Sequence, residues 1–492
     1  MSKKIIIIGG GISGISAGIY AQKLGFESEI YEKHSIPGGE CTGWDRKGFH
    51  IDGCIHWMTG SKDGTYMGGI WREIGALSSD VEIYQPEFFN ITEFDGVTVK
   101  IYCDLMKLRN HLTEISPEDK AEIDILCDSI GKMKDAGIPN LPPDMMNPLD
   151  LLHLIRSMSG SMKVMNKFMM SLSDYVQRFH HPAIKQALLS ILPVDNCAYV
   201  LPFVLGTICS GNGGRPAGGS RAMAFRMAEK YKAMGGIIHL KKEINEIKVV
   251  DGTATGIILA DGTTVCADYI LPTVDIHVTL DRLLGGKYPN AQINMRDADQ
   301  ATYPAPTCVY AAFGIDADIS DGPNELSFQS SPYIFEDSER NIVSFKHYCY
   351  EPSFAPAGKS VGIVYLTANY EWWQKKHANI NEYNIEKVRL ASSLIVALEE
   401  RFPHLKGKIT SLDVATPMTY ERYCGAWHGA WMSYSQTPRA KRMMLNGKIK
   451  GIKNLFMAGQ WLMMPGGLPV AIITGKWAIQ RICKNEKMSW RW

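Results

Sequence analysis

The stretch Ile5–Glu32 constrains this chain more than any other. Ile5–Ile8 is a continuous apolar run, as a parallel strand covered on both faces requires, and Gly9-x-Gly11-x-x-Gly14 follows at once. Ile12–Leu24 reads as a helix that Gly25 can terminate, and Phe26–Tyr31 as a second strand ending at Glu32. Each position has a physical task. Gly9 makes the tight turn, Gly11 lets a pyrophosphate approach the backbone, and Gly14 lets the helix pack on the strand. A carboxylate at Glu32 can accept both hydroxyls of an adenosine ribose and would repel a 2′-phosphate, which disfavours NADP. The unit predicts a Rossmann-like dinucleotide site.

Other readings of the N-terminus fail on length. Four isoleucines fall short of the roughly 7–15 apolar residues of a signal core. No segment reaches the ~18 apolar residues of a membrane span. The nearest, Ala198–Cys209, is split by Pro202. A cytoplasmic protein is expected, at most peripheral on the inner membrane surface. The net charge of +1 gives no case for a nucleic-acid partner. Eleven cysteines without a CxxC pair or a Cys/His cluster read as reduced thiols, and no metal is expected.

Beyond Glu32, the run Lys33, Pro37-Gly38-Gly39, Phe49, Asp52-Gly53 and His56 forms a second glycine-rich patch where a compact NAD unit would proceed to a third strand. This segment resembles the FAD-dependent phytoene desaturase, carotenoid isomerase and retinol saturase group, within the wider amine-oxidase-like flavoproteins. The resemblance recurs at Pro216–Ser220 before a helix over 221–234, and at strand-like runs 237–240 and 243–250. Asp251-Gly252 and Asp261-Gly262 read as hairpin turns. It recurs again at Thr416–Tyr423 with Gly429, and at Gly459-Gln460 with Gly466-Gly467-Leu468-Pro469. One departure stands out: Glu40 follows the double glycine where relatives often place a basic residue.

The resemblance implies FAD as cofactor. Its implied contacts are Gly9, Gly11, Ile12, Ser13 and Gly14 at the first turn, Glu32, Lys33, Gly38 and Gly39 beyond it, and Ile244 at the adenine. At the C-terminal end they are Gly459, Gln460, Gly467, Leu468, Pro469 and Val470. The last helix opens on glycines and a proline without an acidic or hydroxyl cap, so its free N–H groups and positive dipole end would face the flavin. The fold class expected is α/β, a Rossmann-like FAD-binding domain in discontinuous segments (1–75, 200–280 and 450–492). An interleaved α+β substrate domain takes 76–199 and 281–449. In 383–402, Ile385, Val388, Leu394, Ile395 and Leu398 mark a helix face.

The family implies hydride movement at a C–C or C=C bond of an apolar isoprenoid or polyene, as desaturation, saturation or isomerisation, with an external electron donor or acceptor the sequence does not name. Such a substrate needs no Ser/His/Asp set. Substrate-side candidates are His56, Trp57, Arg422 and His428, the three polar ones being the catalytic candidates, with a positioning role expected of His56. An amine oxidase, or a prenyl-protein escort factor that keeps the fold without the chemistry, are the alternatives. Methionines 158, 162, 165, 169 and 170 suit either a lipid-like ligand and a membrane-facing mouth or a loosely packed helical core. Trp490-Arg491-Trp492 reads as a plain tail or an interfacial anchor.

Overall fold

The computed structural model describes residues 2–134 and 137–490. Arg491 and Trp492 lie outside these, while Trp490 packs against the core of the N-terminal sheet. Four strands form a parallel sheet in the order Tyr269–Pro272, Lys4–Ile8, Glu27–Tyr31, Ile237–His239. Its central strand is covered on both faces, because Ile5 and Ile7 face one apolar cluster while Ile6 and Ile8 face another. Alternation along the strand makes that division, and two apolar faces explain the four consecutive isoleucines. The strands Ile244–Val250, Thr253–Leu259 and Thr264–Cys266 form an antiparallel meander joined at the two Asp-Gly turns.

The terminal helix, Leu468–Asn485, lies along the first helix, Ile12–Lys23, and glycine sets their separation. A Cβ on Gly475 would stand 2.7 Å from the Ser13 carbonyl oxygen. Gly14 is equally constrained, since its Cβ would collide with the Gly9 carbonyl oxygen.

A second, seven-stranded sheet carries the rest. Its order is Ile409–Ala415, Cys308–Ile315, Ser360–Thr367, Ser338–His347, Glu325–Phe335, Phe88–Phe94, Val97–Tyr102. Helices Tyr370–His377 and Ile380–Arg401 cover one face through Trp373, Leu390, Leu394 and Leu398. The predicted stripe on the longer helix is corrected in part. Ile385 and Val388 are 63% and 66% exposed, and Tyr383 and Leu390 take the buried positions. A helical layer built from Leu105–Ile115, Lys120–Met133, Pro182–Leu189 and Val200–Cys209 packs at the sheet's far end.

Three expected boundaries move. Val200–Cys209 belongs with the helical layer, since Leu201 and Leu205 pack with Leu126 and Ile130. Ile293, Tyr303, Tyr434 and Met443, expected in the substrate domain, pack with Ile6 and Ile8 of the parallel sheet. Apolar periodicity gives an element's buried face but not which core receives it.

Gly475→Ala should therefore separate the first and terminal helices. Overpacking of this kind costs roughly 1–3 kcal/mol, read as a lower urea midpoint at unchanged m. Gly160→Ala, in a helix and with nothing within 4 Å of the added Cβ, should instead leave the midpoint equal or raise it.

Candidate functional site

The first and the terminal helix both begin without a side-chain cap, as do Val200–Cys209 and Gly219–Ala233. The first helix starts on Gly11 and the terminal helix on Gly467, neither with a side-chain cap nor an acidic residue in its first turn. Elsewhere Thr65, Asp104, Asn147, Asn290, Asn369 and Asn379 each cap their helix by accepting a backbone N–H. A bare start leaves N–H donors and the positive end of the dipole for an outside acceptor.

The glycine loop 37–40 closes over the first of these starts. Gly38 N–H donates to the Gly10 carbonyl at 2.8 Å, and Gly38 and Gly39 both hold positive φ. A Cβ on Gly11 would stand 3.9 Å from Gly38 O and Gly39 Cα, so the gap between loop and helix has room for a ligand's backbone approach. Gln460 ties in the second start. Its Nε2 donates to Glu40 Oε2 at 2.8 Å while its Oε1 accepts Gly467 N–H at 3.1 Å. Gly459, at φ 127°, is held by its N–H to Thr474 Oγ1. Ile12, Ser13 and Val470 are buried beneath the two starts, and Ser13 Oγ has no hydrogen-bond partner among the described residues. Leu468 and Pro469 form the first turn itself.

Glu32 is fixed by backbone. One oxygen accepts Gly10 N–H at 2.6 Å and the other His34 N–H at 2.7 Å, leaving lone pairs on both for a vicinal diol. It lines a cavity of about 460 Å³ with Gly9, Lys33, Gly39, Glu40, Ile244 and Tyr420. Lys33 stands at the rim, its Nζ 3.3 Å from the Arg422 carbonyl. Burial, with Asp275 adding to it, pushes the Glu40 carboxyl up to about 8 against the hydrogen bond from Gln460.

The structure places the three catalytic candidates in different surroundings. Arg422 lies exposed on the helix Pro417–Cys424, its guanidinium 5.2 Å from the Tyr423 ring at the outer side of the cavity. His428 is wedged between the rings of Trp427 and Tyr370 at 3.8 and 4.3 Å, a packing role. The stretch 417–424 is a helix with Thr416 and Thr419 capping it, so alternate residues face away from the site. Trp57 packs edge-on against Phe89 in the helical layer.

His56 remains inside. Its Nε2 is 2.5 Å from Tyr310 Oη and its Nδ1 3.5 Å from Lys346 Nζ. Lys346 pairs with Glu325 at 3.2 Å, and Arg215 bonds both Glu325 and the His56 carbonyl. The sequence reading missed these four partners. The available signal was a Tyr, a Lys and a Glu in strands that otherwise alternate apolar residues.

A second cluster also went unread. His277 is bonded by Asp275 at Nδ1 (2.8 Å) and by Asp297 at Nε2 (3.1 Å), and its ring stacks on Trp427 at 4.2 Å. Tyr434 Oη donates to the same Asp297, and Trp427 N–H to Asp275. Burial opposes a charge on His277, but the two carboxylates outweigh it and lift its pKa to about 9.

The NAD(P)-binding Rossmann-like domain family matches residues 7–74. The chain is 23% identical to the chloroplastic prolycopene isomerase of Arabidopsis thaliana, covering 98% of this chain and 82% of the relative. It is 22% identical to human all-trans-retinol 13,14-reductase, covering 93% and 82%. An oxidoreductase structure from Methanosarcina mazei superposes with a TM-score of 0.62 at 17% identity, over 98% of this chain and 100% of that one. A putrescine oxidase bound to putrescine superposes at 0.61 and 13%, over 99% of each. The structural likenesses speak to the fold. With the curated relatives, they extend the resemblance read from the motifs over nearly the whole chain, and the first segment is a dinucleotide-binding Rossmann-like unit.

The His277 cluster predicts a pH dependence of stability. A folded-state pKa of about 9 stands above the ordinary value near 6.5, so the contribution is fully present below about pH 6.5 and is lost as pH rises through 9. Its ceiling is about 3 kcal/mol. His277→Asn should lower the urea midpoint at pH 6, and the gap to wild type should narrow by pH 9.5.

Proposed function

We propose that this chain is an FAD-dependent oxidoreductase acting on C–C or C=C bonds of an apolar, polyene or isoprenoid-like substrate, by desaturation, saturation or isomerisation. The observation that carries it is the pair of uncapped helix starts joined through Gln460 beside the backbone-fixed Glu32. The residues present fit the cofactor. Gly11 leaves open the space a Cβ would take, Glu32 keeps lone pairs for ribose hydroxyls, and Gly467–Val470 offer free N–H groups. A dinucleotide with a long second half suits a site that runs from Glu32 past Gly39 to Gly467. The names of the relatives, an isomerase and a reductase of polyenes, support the substrate class.

FAD, when bound, supplies hydride exchange with a substrate carbon. This chain would hold the adenosine at Glu32 and Ile244 and the pyrophosphate at Gly11 and Gly39. At the terminal helix its dipole favours an anionic ring edge by about 0.3–1 kcal/mol. The remaining task is orientation, and His56 with its partners supplies the polar contacts within the sheet.

The test is anaerobic mixing of the yellow protein, oxidised or pre-reduced, with conjugated polyenes and, separately, with primary amines. Polyene-dependent bleaching or reoxidation of the flavin supports the reading. Flavin bleached by amines alone overturns it in favour of an amine oxidase. Glu32→Arg should purify with flavin affinity reduced about 10- to 100-fold, as loss of charged hydrogen bonds worth about 1.5–3 kcal/mol implies. A fully yellow variant would remove Glu32 from the site.

The helix Pro148–Lys167 supports a seat on an anionic bilayer. Only Ser161 and Val164 of it are buried, so it does not form the packed helical core that the methionines also allowed. Leu151, Leu152, Ile155 and Met162 are 44–52% exposed on one strip, and Arg156, Lys163 and Lys167 run along its edge. That pairing of apolar strip and basic margin matches an interfacial helix. Among the described residues no helix is long and apolar enough to cross a membrane. The protein should co-sediment with phosphatidylglycerol vesicles more than with phosphatidylcholine. Ile155→Glu should weaken this about tenfold, the loss of roughly 1.5 kcal/mol of burial. Equal recovery in the supernatant with and without vesicles would overturn it.

A further inference from the structure

The seven-stranded sheet has two unlike faces. Toward the helices it presents Val309, Phe313, Leu326, Phe328, Val343 and Phe345, all apolar. Alternation turns the intervening residues to the other face, where Tyr310, Lys346 and Ser327 are at most 4% exposed and Glu325 is partly buried. The same face also carries Ala312, Val361 and Ile363, and within that apolar surround a purely hydrocarbon ligand gives the polar group no return for its lost hydration.

The hydrogen bonds on this face have a direction. Burial lowers the Lys346 pKa to about 8, Arg215 presses it down further and Glu325 holds it up, so the ammonium is charged at neutral pH. An ammonium can only donate, so His56 Nδ1 accepts from it at 3.5 Å. Burial, with Lys346 and Arg215 adding to it, holds the His56 pKa well below its usual value, so the ring is neutral and its one proton sits on Nε2. That proton goes to Tyr310 Oη at 2.5 Å. Tyr310 therefore accepts from His56, and its own hydroxyl hydrogen has no acceptor among the described residues. The Lys346–His56–Tyr310 chain ends in an unspent donor with a cation behind it.

The strand that carries the donor runs beside the cofactor cavity. Tyr310 pairs across the sheet with Ala415, and its neighbour Cys308 contacts Tyr420. Ala415 and Tyr420 both line the cavity that begins at Glu32 and Gly39.

We propose that the substrate carries a carbonyl or carboxylate oxygen that accepts the hydroxyl hydrogen of Tyr310, so that the ligand is an oxygenated polyene rather than a hydrocarbon. This rests on the polyene reading above and deepens it. Tyr310 is the contact residue; His56 and Lys346 act through it as positioning residues that fix its donor direction.

The experiment titrates the oxidised, flavin-loaded protein with three conjugated C20 probes: a polyene aldehyde, the matching carboxylic acid and the parent hydrocarbon. Affinity and the polyene absorption maximum are both read. Wild type should bind the aldehyde or the acid about tenfold more tightly than the hydrocarbon, with a shifted maximum for the bound aldehyde. Tyr310→Phe removes only the hydroxyl and should erase that preference while leaving the hydrocarbon's affinity within about twofold. Lys346→Met keeps the side chain's length, and should abolish the spectral shift while retaining part of the affinity, which a merely structural lysine would not do. Preference for one oxygenated probe identifies which oxygen function is read. Equal binding of all three probes to wild type, or equal weakening of all three by Tyr310→Phe, overturns this inference and leaves the polyene reading standing. Binding of none of them overturns both.

Discussion

Two helix N-termini, left without caps and linked through Gln460, are the constraint around which the rest of this chain is arranged. A helix start has four N–H groups with no partner inside the helix, and leaving a buried donor unpaired costs about 1–3 kcal/mol each. Most other helices here solve that locally, with Asn, Asp or Thr at the cap. The first and terminal helices do not, although they are the most deeply buried pair in the fold. Their close approach requires Gly475 against Ser13, and the first helix's approach to its strand requires Gly14. Glycine brings the two starts together, and Gln460 spans between Glu40 and Gly467 to keep them in register. A fold that spends its best-packed core on holding unsatisfied donors in place is arranged around an acceptor from outside.

The second sheet answers a different requirement. Its helix-facing side is a conventional apolar core, and its other side carries a lysine, a glutamate and a tyrosine within reach of His56. Arg215, which reaches this group from outside the sheet, bonds Glu325 and the His56 carbonyl and lies 5.2 Å from the Tyr350 ring. The bonds among Lys346, Glu325, Arg215 and His56 fix the geometry of this group, and the Tyr310 hydroxyl hydrogen is left over. The two sheets thus divide the labour: one positions backbone donors, the other positions side-chain donors, and the cavity lies where they meet.

How much of this the sequence disclosed follows from the range of the forces involved. Gly9, Gly11, Gly14 and Glu32 were legible because strand, turn, helix and strand follow within one short stretch and each residue's task is set by its near neighbours. The two Asp-Gly turns were legible for the same reason, with Asp251 and Gly252 both at positive φ. The bare start at Gly467 was legible as an absence of capping residues. The surroundings of Arg422 and His428 were not legible because the segment around them, read as a loop by analogy, is a helix followed by a tight turn, which sends one outward and the other between two rings. Boundaries at 200, 281 and 449 were misplaced because an apolar face does not name the core it joins. The His277 and Tyr310 clusters were invisible for a stronger reason. His56 meets a strand residue 254 positions away, and no local pattern encodes such a meeting.

Glu40 shows how the departure from the family pattern is reconciled. A carboxylate beside a bound pyrophosphate would be repelled, which is the reason a basic residue suits that place. Here burial lifts the Glu40 carboxyl to about 8, so at neutral pH it is chiefly the uncharged acid. An uncharged acid presents a hydroxyl donor as well as an acceptor. With Oε2 taking the Gln460 amide, the acid proton can sit on the other oxygen of this cavity-lining residue. Glu40 thereby supplies the hydrogen-bond donor that a basic residue would, without the charge. Asp275, which adds to the rise in Glu40, is itself compensated by the charged His277 at 2.8 Å. The glycine loop, the C-terminal Gln460 and the His277 cluster are in this way coupled through Glu40 and Asp275.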